Sequence, residues 1–380
     1  MKFNRQGELN PVIYDCRQCG LCLSVCPHIN ELETDIFATY LGEYLECYSG
    51  YSKIGKEREH ASSGGLATRM LKVLLEEKIV SKVVAIGRSS HADKIFEPVI
   101  VSTTEELGNL ASSKYYPVEF SSVVKHLKKN DETIAIIGLP CVIRGLRIIK
   151  EKYPEIGDKI KYLFGLTCAH NNNKNYTNFL LRKSGARTDK LLEICYRCKK
   201  ETKNAMDYYF QTTQNDGSSS EKIFNSGFIR NLWAKGFFSL SACLKCKDLV
   251  SEQADISFMD AWIDPYIKDP KGTSLVIVRN EKMKELLENE AKKGNIFLEP
   301  IKEAIVFKAQ LDGFILKKML SGRKRLKMIN NKISCIYSDN YFIDKLSIFI
   351  FRVIMLFENI ILSKSIAKLI SKRWFAIRKK

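Results

Sequence analysis

The chain has 380 residues, 45% of them hydrophobic, which is enough to bury more than one apolar core. Its formal net charge is +18, and most of the excess lies in residues 301–380, which hold 18 Lys and Arg against 5 Asp and Glu. These basic residues are not interleaved with aromatic ones on a recognisable module, so composition argues against a nucleic-acid partner. Twelve cysteines without an apolar leader predict a reducing, cytoplasmic location and argue against a disulfide scaffold.

Four cysteines near the start of the chain have the spacing C-x2-C-x2-C-x3-C and are followed by Pro27. This is the ligand run of bacterial iron–sulfur ferredoxins, and thiolates are the soft anionic donors that iron clusters require. Gly20 allows the loop to turn between ligands. Because the cysteine before the proline serves a different cluster in two-cluster ferredoxins, Cys47 is the alternative fourth ligand. The predicted ligands of this first 4Fe-4S cluster are Cys16, Cys19, Cys22 and Cys26.

The next part of the chain, after a polar connection at 46–60, is predicted to alternate between strands and helices. The predicted elements are a loop and helix at 61–78, strands at 80–87 and 98–103, helices at 103–110 and 118–129, a strand, turn and helix at 133–154, a strand at 159–170 and a helix at 175–185. Strand, helix and strand in this order predict an α/β fold, with a largely parallel sheet and helices on both of its faces.

After about residue 190 the pattern changes. Residues 205–224 alternate around a turn-forming Asn-Asp-Gly and predict a hairpin, and a strand at 274–280 is followed by a charged helix at 281–294. We therefore expect three parts, which are a ferredoxin-type segment at 1–50, an α/β core at 51–335 and a C-terminal helical tail at 336–380.

The tail contains a segment, residues 342–362, that is apolar almost all round. Lys345, Arg352 and Asn359 recur every seven residues and interrupt it, whereas a transmembrane helix needs about 20 mostly apolar residues with few charges. Residues 364–380 then carry seven Lys and Arg and no acidic residue. The tail is predicted to be a helix that lies on an anionic membrane surface or docks on this protein or a partner subunit.

Two sets of later cysteines could form a second metal centre. One set follows two predicted parallel strands and is completed by a C-x2-C pair, and the carboxyl ends of such strands lie at one edge of a sheet, where α/β proteins bind ligands. The other set consists of two C-x2-C pairs with the spacing of a zinc site. Spacing alone leaves both open. The sets are Cys141, Cys168, Cys243 and Cys246 for a second 4Fe-4S cluster, and Cys195, Cys198, Cys243 and Cys246 for zinc.

Six segments occur in an order that is typical of one protein family. They are the N-terminal cysteine run, ASSGGLAT (61–68), SSKYYP (112–117), IGLPCVIRGLR (137–147), LFGLTC (163–168) and CLKCKDLVSEQADISFMDAW (243–262). In this ordered set, which spans residues 16 to about 262, the chain resembles the coenzyme F420 hydrogenase/dehydrogenase beta-subunit family.

The resemblance implies an iron–sulfur flavoprotein oxidoreductase with an FAD-binding α/β core beside two 4Fe-4S clusters. Electrons would pass between the clusters and FAD, and a hydride would be exchanged with coenzyme F420 or an unidentified organic partner. A redox partner protein or reduced ferredoxin would be the electron partner. The alternatives are a non-catalytic electron-transfer subunit and a cluster-bearing protein of surface-polysaccharide biosynthesis. No catalytic residue can be assigned from the resemblance.

The resemblance also assigns the second cluster to Cys141, Cys168, Cys243 and Cys246. Cys195 and Cys198 fall in CYRCKK, where relatives show an Arg-x-Lys pattern without cysteines, so neither is expected to be a ligand. The chain departs from the family at Ala169-His170-Asn171, where relatives often have His-Gly after the cysteine, and at Met259, where they usually have glycine. Both departures lie near the expected redox site and leave the substrate open.

Seven residues are predicted to bind the flavin. The serines and glycines of ASSGGLAT precede a helix, so their N–H groups and the helix dipole suit a pyrophosphate. A lysine and a tyrosine in SSKYYP could supply charge and a stacking surface, and an arginine after Cys141 could raise the potential of a nearby flavin or cluster. The predicted residues are Ser62, Ser63, Gly64, Gly65, Lys114, Tyr115 and Arg144.

Overall fold

The structure, a computed structural model, describes residues 1–14, 16–27, 29, 40–199 and 203–319. The helix predicted at 342–362 and the basic residues after it lie outside the described residues. None of the helices within the described ranges is long and apolar enough to cross a lipid bilayer.

The described residues form thirteen strands and twelve α-helices. The strands are β1 (Lys2–Phe3), β2 (Leu9–Asn10), β3 (Glu46–Ser52), β4 (Lys82–Arg88), β5 (Phe96–Val101), β6 (Ile134–Gly138), β7 (Ile160–Leu166), β8 (Leu191–Cys198), β9 (Tyr209–Gln214), β10 (Ile223–Phe224), β11 (Ile256–Asp260), β12 (Ser274–Val278) and β13 (Ile296–Pro300). The α-helices are α1 (Leu21–Ser24), α2 (Glu57–His60), α3 (Leu66–Glu76), α4 (Thr104–Asn109), α5 (Ser121–Lys129), α6 (Pro140–Lys152), α7 (Pro154–Gly157), α8 (Lys174–Lys183), α9 (Gly227–Ala234), α10 (Glu281–Lys292), α11 (Glu303–Ala309) and α12 (Leu311–Phe314). A π-helix, Ile315–Met319, follows directly.

The main sheet has eight strands in the order β13-β3-β12-β11-β7-β6-β4-β5. Its four inner strands β11, β7, β6 and β4 run parallel to one another. The strands outside them, β5 on one side and β12, β3 and β13 on the other, are antiparallel to their neighbours. The predicted α/β class is confirmed, with a mixed sheet whose parallel part is confined to the middle.

Helices cover both faces of this sheet, as the sequence predicts. On one face α3 and α10 bury side chains such as Leu74 and Leu287 against the parallel strands. On the other face α5 and α6 bury Val123 and Ile143 against the same strands. Because α3, α5, α6 and α10 each carry apolar residues at helical spacing, their packing faces follow from the sequence alone.

The polar connection predicted at 46–60 is wrong in its first half, which forms β3. This strand pairs with β12 on one side and β13 on the other, and its residues are mostly buried. Gly50 is required there, because a Cβ atom at this position would overlap the carbonyl oxygen of Phe297 on β13. A central strand of Ser, Tyr and Gly residues lacks the apolar pattern that local prediction relies on, so only its neighbours reveal it.

A smaller sheet has the order β10-β9-β8 and packs on an aromatic cluster that includes Tyr196, Phe210 and Phe238. Its β9 and β10 pair antiparallel, which confirms the hairpin predicted at 205–224. The predicted three-part division of the chain stays a prediction, but β3 crosses its boundary at residue 50, so an intact main sheet requires the first part to end before Glu46.

Candidate functional site

The two cysteines that follow parallel strands lie at one edge of the main sheet. β6 and β7 run side by side with Gly138 opposite Gly165, so the chain leaves both strands at the same end. α6 begins at Pro140 and holds Cys141 in its first turn. Cys168 follows β7 and its backbone N–H donates to the carbonyl oxygen of Leu249, 2.9 Å away. The carboxyl edge therefore presents two thiols from neighbouring strands.

The C-x2-C pair comes to the same place from a separate segment. Cys243 lies in the 3-10 helix Ser241–Leu244, and its Sγ accepts a hydrogen bond from the Asn171 N–H, 3.3 Å away. Burial, followed by the thiols of Cys243 and Cys246, raises the pKa of the Cys141 thiol to about 12. Burial likewise raises the pKa of the Cys168 thiol, on which the other three thiols also act. All four half-buried cysteines are thus electrostatic neighbours.

A lysine that the sequence did not single out lies among these thiols. The Lys317 Nζ donates to the Cys246 Sγ at 2.9 Å and to the Asp248 carbonyl oxygen at 2.7 Å, and the residue is 9% exposed. Burial lowers the pKa of Lys317, but the thiols of Cys246, Cys168 and Cys243 outweigh burial and raise it. Lys317 lies 71 residues beyond Cys246 and belongs to no spacing motif, so the sequence gives no local signal for it.

The zinc alternative is not supported by the cysteines of β8. Cys195 and Cys198 form a disulfide with each other, so neither is a free thiolate ligand. Across the part of the chain that the structure describes, no three or more His, Cys, Asp or Glu side chains are arranged to hold a metal ion. The second 4Fe-4S cluster remains a prediction that depends on the four converging thiols.

The N-terminal cysteine run lies against α6, the helix that carries Cys141. Gly20 has a φ of 71°, as expected for the turn between ligands, and α1 starts directly after it. Ser24 of α1 has its Oγ 3.3 Å from the hydroxyl of Tyr153, and its carbonyl oxygen accepts from the Lys152 Nζ at 3.2 Å. The two predicted cluster sites therefore share one helix.

The cysteines of the N-terminal run and Cys47 differ in solvent exposure. Of the predicted ligands, Cys26 is half-buried and the other three are exposed. The exposed ones are Cys16, Cys19 and Cys22. Cys47 is 1% exposed in the core of the main sheet, where burial raises the pKa of its thiol to about 12. This burial within β3 argues against Cys47 as the fourth ligand and favours Cys26.

The predicted phosphate loop is held by two other segments. The Ser62 Oγ accepts from the Ser113 N–H at 2.7 Å, so SSKYYP lies directly beside this loop. On the other side, the Ser63 hydroxyl donates to the Thr273 carbonyl oxygen at 2.8 Å, next to the start of β12. The loop ends at Gly65, whose φ of 83° leads into α3.

Gly64 is fixed by backbone packing. Its N–H donates to the Ser274 Oγ at 3.0 Å, and its carbonyl oxygen accepts from the Ser52 N–H at 2.8 Å. A Cβ atom on Gly64 would lie 2.5 Å from the Gly50 carbonyl oxygen and 2.7 Å from the Ser274 nitrogen. Glycine is therefore required at this position whether or not a pyrophosphate binds there.

The other predicted flavin residues have identifiable surroundings. The Lys114 Nζ donates to the carbonyl oxygens of Leu110 and Ala111, which directly follow α4, and burial lowers its pKa to about 8. The Tyr115 ring packs 6.0 Å from the Trp233 ring, between centroids. Arg144 lies one turn after Cys141 in α6 and is half-buried. Their roles at a cofactor stay predictions.

A buried ion pair that was not predicted joins the smaller sheet to the carboxyl edge of the main sheet. Arg197 of β8 makes two hydrogen bonds to the carboxylate of Asp260 at the end of β11, at 2.8 and 2.9 Å. The guanidinium also lies 5.7 Å from the Trp262 ring centroid. The Arg-x-Lys and Asp-x-Trp patterns in the sequence were visible separately, but only the fold brings them together.

Lys199 connects this ion pair to the predicted phosphate loop. Its Nζ donates to the carbonyl oxygens of Arg58, Ser63 and Lys271 at 2.7, 2.9 and 2.6 Å. Burial, followed by the positive charge of Arg197, lowers the pKa of Lys199 to about 7. Residues from ASSGGLAT, SSKYYP, β8 and the end of β11 thus surround one region. Asn171 connects this region to the thiols, because its Nδ2 donates to the Tyr116 carbonyl oxygen at 3.3 Å and its N–H donates to the Cys243 Sγ.

Sequence profiles of one family match most of this region. The profile for the C terminus of the coenzyme F420 hydrogenase/dehydrogenase beta subunit matches residues 131–304, and the profile for its N-terminal part matches residues 47–125. The chain belongs to this family. The two matched ranges contain all seven predicted flavin residues and the four cysteines of the second set, whereas the N-terminal cysteine run lies before them.

Two relatives differ in how much of their length this chain matches. The coenzyme F420 hydrogenase subunit beta of Methanothermobacter thermautotrophicus is 27% identical over 77% of this chain and 95% of its own length. The coenzyme F420-dependent sulfite reductase of Methanocaldococcus jannaschii is 25% identical over 85% of this chain, which spans only 47% of that enzyme.

One solved structure has a similar fold. A chain in the F420-reducing [NiFe] hydrogenase complex from Methanosarcina barkeri superposes with a TM-score of 0.56 at 20% identity, over 76% of this chain and 92% of that one. At this identity the likeness concerns the fold, and it agrees with the mixed α/β architecture described above.

Proposed function

We propose that the chain is an iron–sulfur flavoprotein oxidoreductase that passes electrons between two 4Fe-4S clusters and FAD and exchanges a hydride with an organic partner. Its family consists of redox proteins, and its relatives are named as F420-linked hydrogenase, dehydrogenase and sulfite reductase components. Electron transfer is the activity that these relatives share. The cofactors and the substrate of this chain are the proposed part.

The convergence of four thiols from three segments carries the proposal. Cys141, Cys168 and the Cys243/Cys246 pair come from α6, from the end of β7 and from a segment more than 70 residues further on. The thiols of Cys243 and Cys246 nevertheless lie close enough to raise the pKa values of Cys141 and Cys168. Four cysteine thiolates are the usual ligands of a 4Fe-4S cluster. A cubane has its ligand sulfurs further apart than the donors around a single ion. Among the described residues no three such side chains are arranged around a single ion, so these thiols suit a cluster better than one zinc ion.

The region beside the thiols supplies features that suit a flavin nucleotide. Lys199 donates to the Ser63 carbonyl oxygen of the predicted phosphate loop, and the guanidinium groups of Arg58 and Arg197, each paired with an aspartate, lie in the same region. Tyr115 and Trp262 provide aromatic surface next to this charge. A flavin bound there would supply the two-electron chemistry, because it can exchange a hydride with an organic molecule and single electrons with a cluster.

The position of the N-terminal cysteine run supports its proposed role as the entry point for electrons. Cys16, Cys19 and Cys22 are exposed, and their segment rests on α6 through Ser24 and Tyr153. A redox partner protein or reduced ferredoxin could approach this exposed side. The same helix leads from there to Cys141, which belongs to the second set of thiols.

Coenzyme F420 is the proposed hydride partner, because relatives over nearly their full length are named as coenzyme F420 hydrogenase subunits. Since this chain spans only 47% of the sulfite reductase, sulfite reduction is not proposed for it. The second candidate is a non-catalytic electron-transfer subunit. The exposure of the first cysteine run favours this candidate as well, because it presents an electron donor or acceptor to another protein.

Anaerobic purification followed by analysis of the cofactors tests the proposal. The protein should contain about eight irons and eight acid-labile sulfides per chain, together with non-covalent FAD. Reduced coenzyme F420, added anaerobically, should then bleach the flavin absorbance without any partner protein. Bleaching only in the presence of a partner protein would favour the electron-transfer subunit. Protein that holds neither iron nor flavin would contradict both candidates.

A further inference from the structure

We propose that Lys317 sets the reduction potential of the second cluster by donating a hydrogen bond from its buried ammonium group to the ligand sulfur of Cys246. This inference rests on the proposed function, because it requires that the four thiols hold a 4Fe-4S cluster. Lys317 touches a ligand sulfur and no substrate, so it is a positioning residue whose effect is electrostatic.

The geometry of Lys317 is specific to the thiols. Its Nζ lies 2.9 Å from the Cys246 Sγ and is oriented by the Asp248 carbonyl oxygen at 2.7 Å. The Cys246 Sγ itself lies 3.5 Å from the same carbonyl oxygen. The ammonium group also acts on the thiols of Cys141 and Cys168, so its charge reaches the whole set.

The backbone that carries Lys317 is unusual. Residues Ile315–Met319 form a π-helix directly after α12, and π-helical turns are rare and are frequently found at functional sites. The turn aims two consecutive lysines at different partners. Lys318 donates to the Glu252 carboxylate at 2.6 Å and to the Tyr40 carbonyl oxygen at 3.1 Å, so its charge is neutralised by a carboxylate. The partners of Lys317 are instead the Cys246 sulfur and the Asp248 carbonyl oxygen.

The expected direction follows from the charge of the cluster. Adding one electron to a cluster makes it more negative by one charge, so a nearby cation and a hydrogen bond to a ligand sulfur stabilise the reduced form. Burial at 9% exposure strengthens this effect, because little water screens the interaction. Lys317 should therefore make the second cluster easier to reduce.

The test compares Lys317→Met, Lys317→Gln and Lys317→Arg with the matched control Lys318→Met, which removes a neighbouring buried ammonium that does not touch the thiols. Each full-length protein is titrated anaerobically with the reductant dithionite. EPR measures the reduced fraction of each cluster during the titration. Cys243→Ser identifies the signal of the second cluster, because that signal should disappear in this variant.

We expect the two neutral variants to lower the midpoint potential of the second cluster and to leave the first unchanged. The ratio of reduced to oxidised cluster at a fixed potential should fall at least about tenfold, which is about 59 mV for one electron. Lys317→Arg and Lys318→Met should keep the second potential close to that of the unchanged protein. If Lys317→Met does not fold, the midpoint potential of the second cluster in Lys317→Gln decides the test.

An unchanged or higher potential in the neutral variants would overturn the inference, and so would an equal decrease in Lys318→Met. Loss of the second cluster in both neutral variants, with retention in Lys317→Arg, would also overturn it, because the charge would then serve to hold the cluster. If Cys243→Ser removes no EPR signal, it is the proposed function that fails, since the thiols then hold no cluster.

Discussion

At the scale of single residues, the predicted flavin loop shows how one glycine can have two explanations. The sequence suggests that Gly64 lets the backbone approach a pyrophosphate. The structure supplies a second reason, since Gly64 lies where β3, β12 and the start of α3 approach each other most closely. A substitution at Gly64 that abolished flavin binding would therefore not by itself identify a flavin site.

Gly64→Ala should destabilise the whole protein. The added Cβ atom would lie 2.5 Å from the Gly50 carbonyl oxygen, so the strands must move apart. We expect the free energy of unfolding to fall by about 1–3 kcal/mol or more, which is the usual cost of overpacking. Denaturant unfolding followed by circular dichroism measures this change.

Gly108→Ala is the control, because a Cβ atom at this helical position would meet only the end of the Lys72 side chain, 3.4 Å away. Alanine should be neutral there, or stabilising by less than about 1 kcal/mol, since it favours a helix over glycine. Equal stability of the Gly64→Ala and Gly108→Ala proteins would show that the close approach at Gly64 is not real.

The residues of the candidate site differ in how far the sequence could predict them. Cys141 and Cys168 follow parallel strands, and this local pattern is sufficient to place both at one sheet edge. Lys317 and the Arg197–Asp260 pair have no such pattern, because their partners are many residues away and are selected by the fold. Sequence patterns thus identify chemical groups better than they identify the neighbours that tune them.

At the scale of elements, a buried charge network connects α3 to α10 over one face of the main sheet. The Arg69 guanidinium on α3 donates to the Glu290 carboxylate on α10 at 2.8 Å, and both side chains are under 10% exposed. Burial disfavours the charged form of Glu290, but hydrogen bonds from Asn295 and Arg69 outweigh burial and hold the pKa of Glu290 below its usual range.

Glu290→Gln should weaken the protein in a pH-dependent way. Glu290→Gln removes the buried carboxylate that faces the Arg69 Nε, while Arg69 keeps its ion pair with the partly exposed Glu76 at 2.7 Å. We therefore expect a loss of about 1–3 kcal/mol at pH 7, the usual cost of weakening a buried hydrogen bond to a charged group. A carboxylate whose pKa is lowered in the folded protein stabilises the fold at pH values above its unfolded-state pKa of about 4.3. This stabilisation is lost as the pH falls through the lower folded-state pKa. The difference between the two proteins should therefore be largest near neutral pH and shrink in acid.

Denaturant unfolding over a pH series measures this difference. Glu77→Gln is the control, because Glu77 pairs with Lys293 at the surface, where their side chains are 38% and 52% exposed. Its cost should stay below about 1 kcal/mol. A pH-independent loss in Glu290→Gln would mean that packing, and not the charge of Glu290, connects the two helices.

The elements that the sequence predicted correctly are those with a strong local pattern. α3, α5, α6 and α10 have apolar residues at helical spacing, and α4 has the Thr103–Glu106 capping box that its sequence indicates. β3 was missed because its polar and glycine residues are buried by the strands on either side. β5 and β12 were predicted as strands, but their antiparallel direction was not, because strand direction depends on connections that local patterns do not encode.

At the scale of the whole molecule, α6 connects the two proposed cluster sites with the main sheet. The N-terminal run rests on this helix, Cys141 lies in its first turn, and Arg147 further along donates to Asp255 before β11 at 3.2 Å. The proposed path for electrons, from the exposed first cysteines to the predicted flavin region, therefore follows one helix. The central claim is that the cysteines at the start of this helix, around Cys141, hold a 4Fe-4S cluster.

The iron content of two single-cysteine variants tests this claim most directly. Cys141→Ala removes a proposed ligand, whereas Cys47→Ala removes a buried thiol of the sheet core that is not one. After anaerobic purification, Cys141→Ala should contain about four irons and four acid-labile sulfides fewer per chain than the unchanged protein, and Cys47→Ala should contain as many as the unchanged protein. Equal iron and sulfide in all three folded proteins would contradict the account.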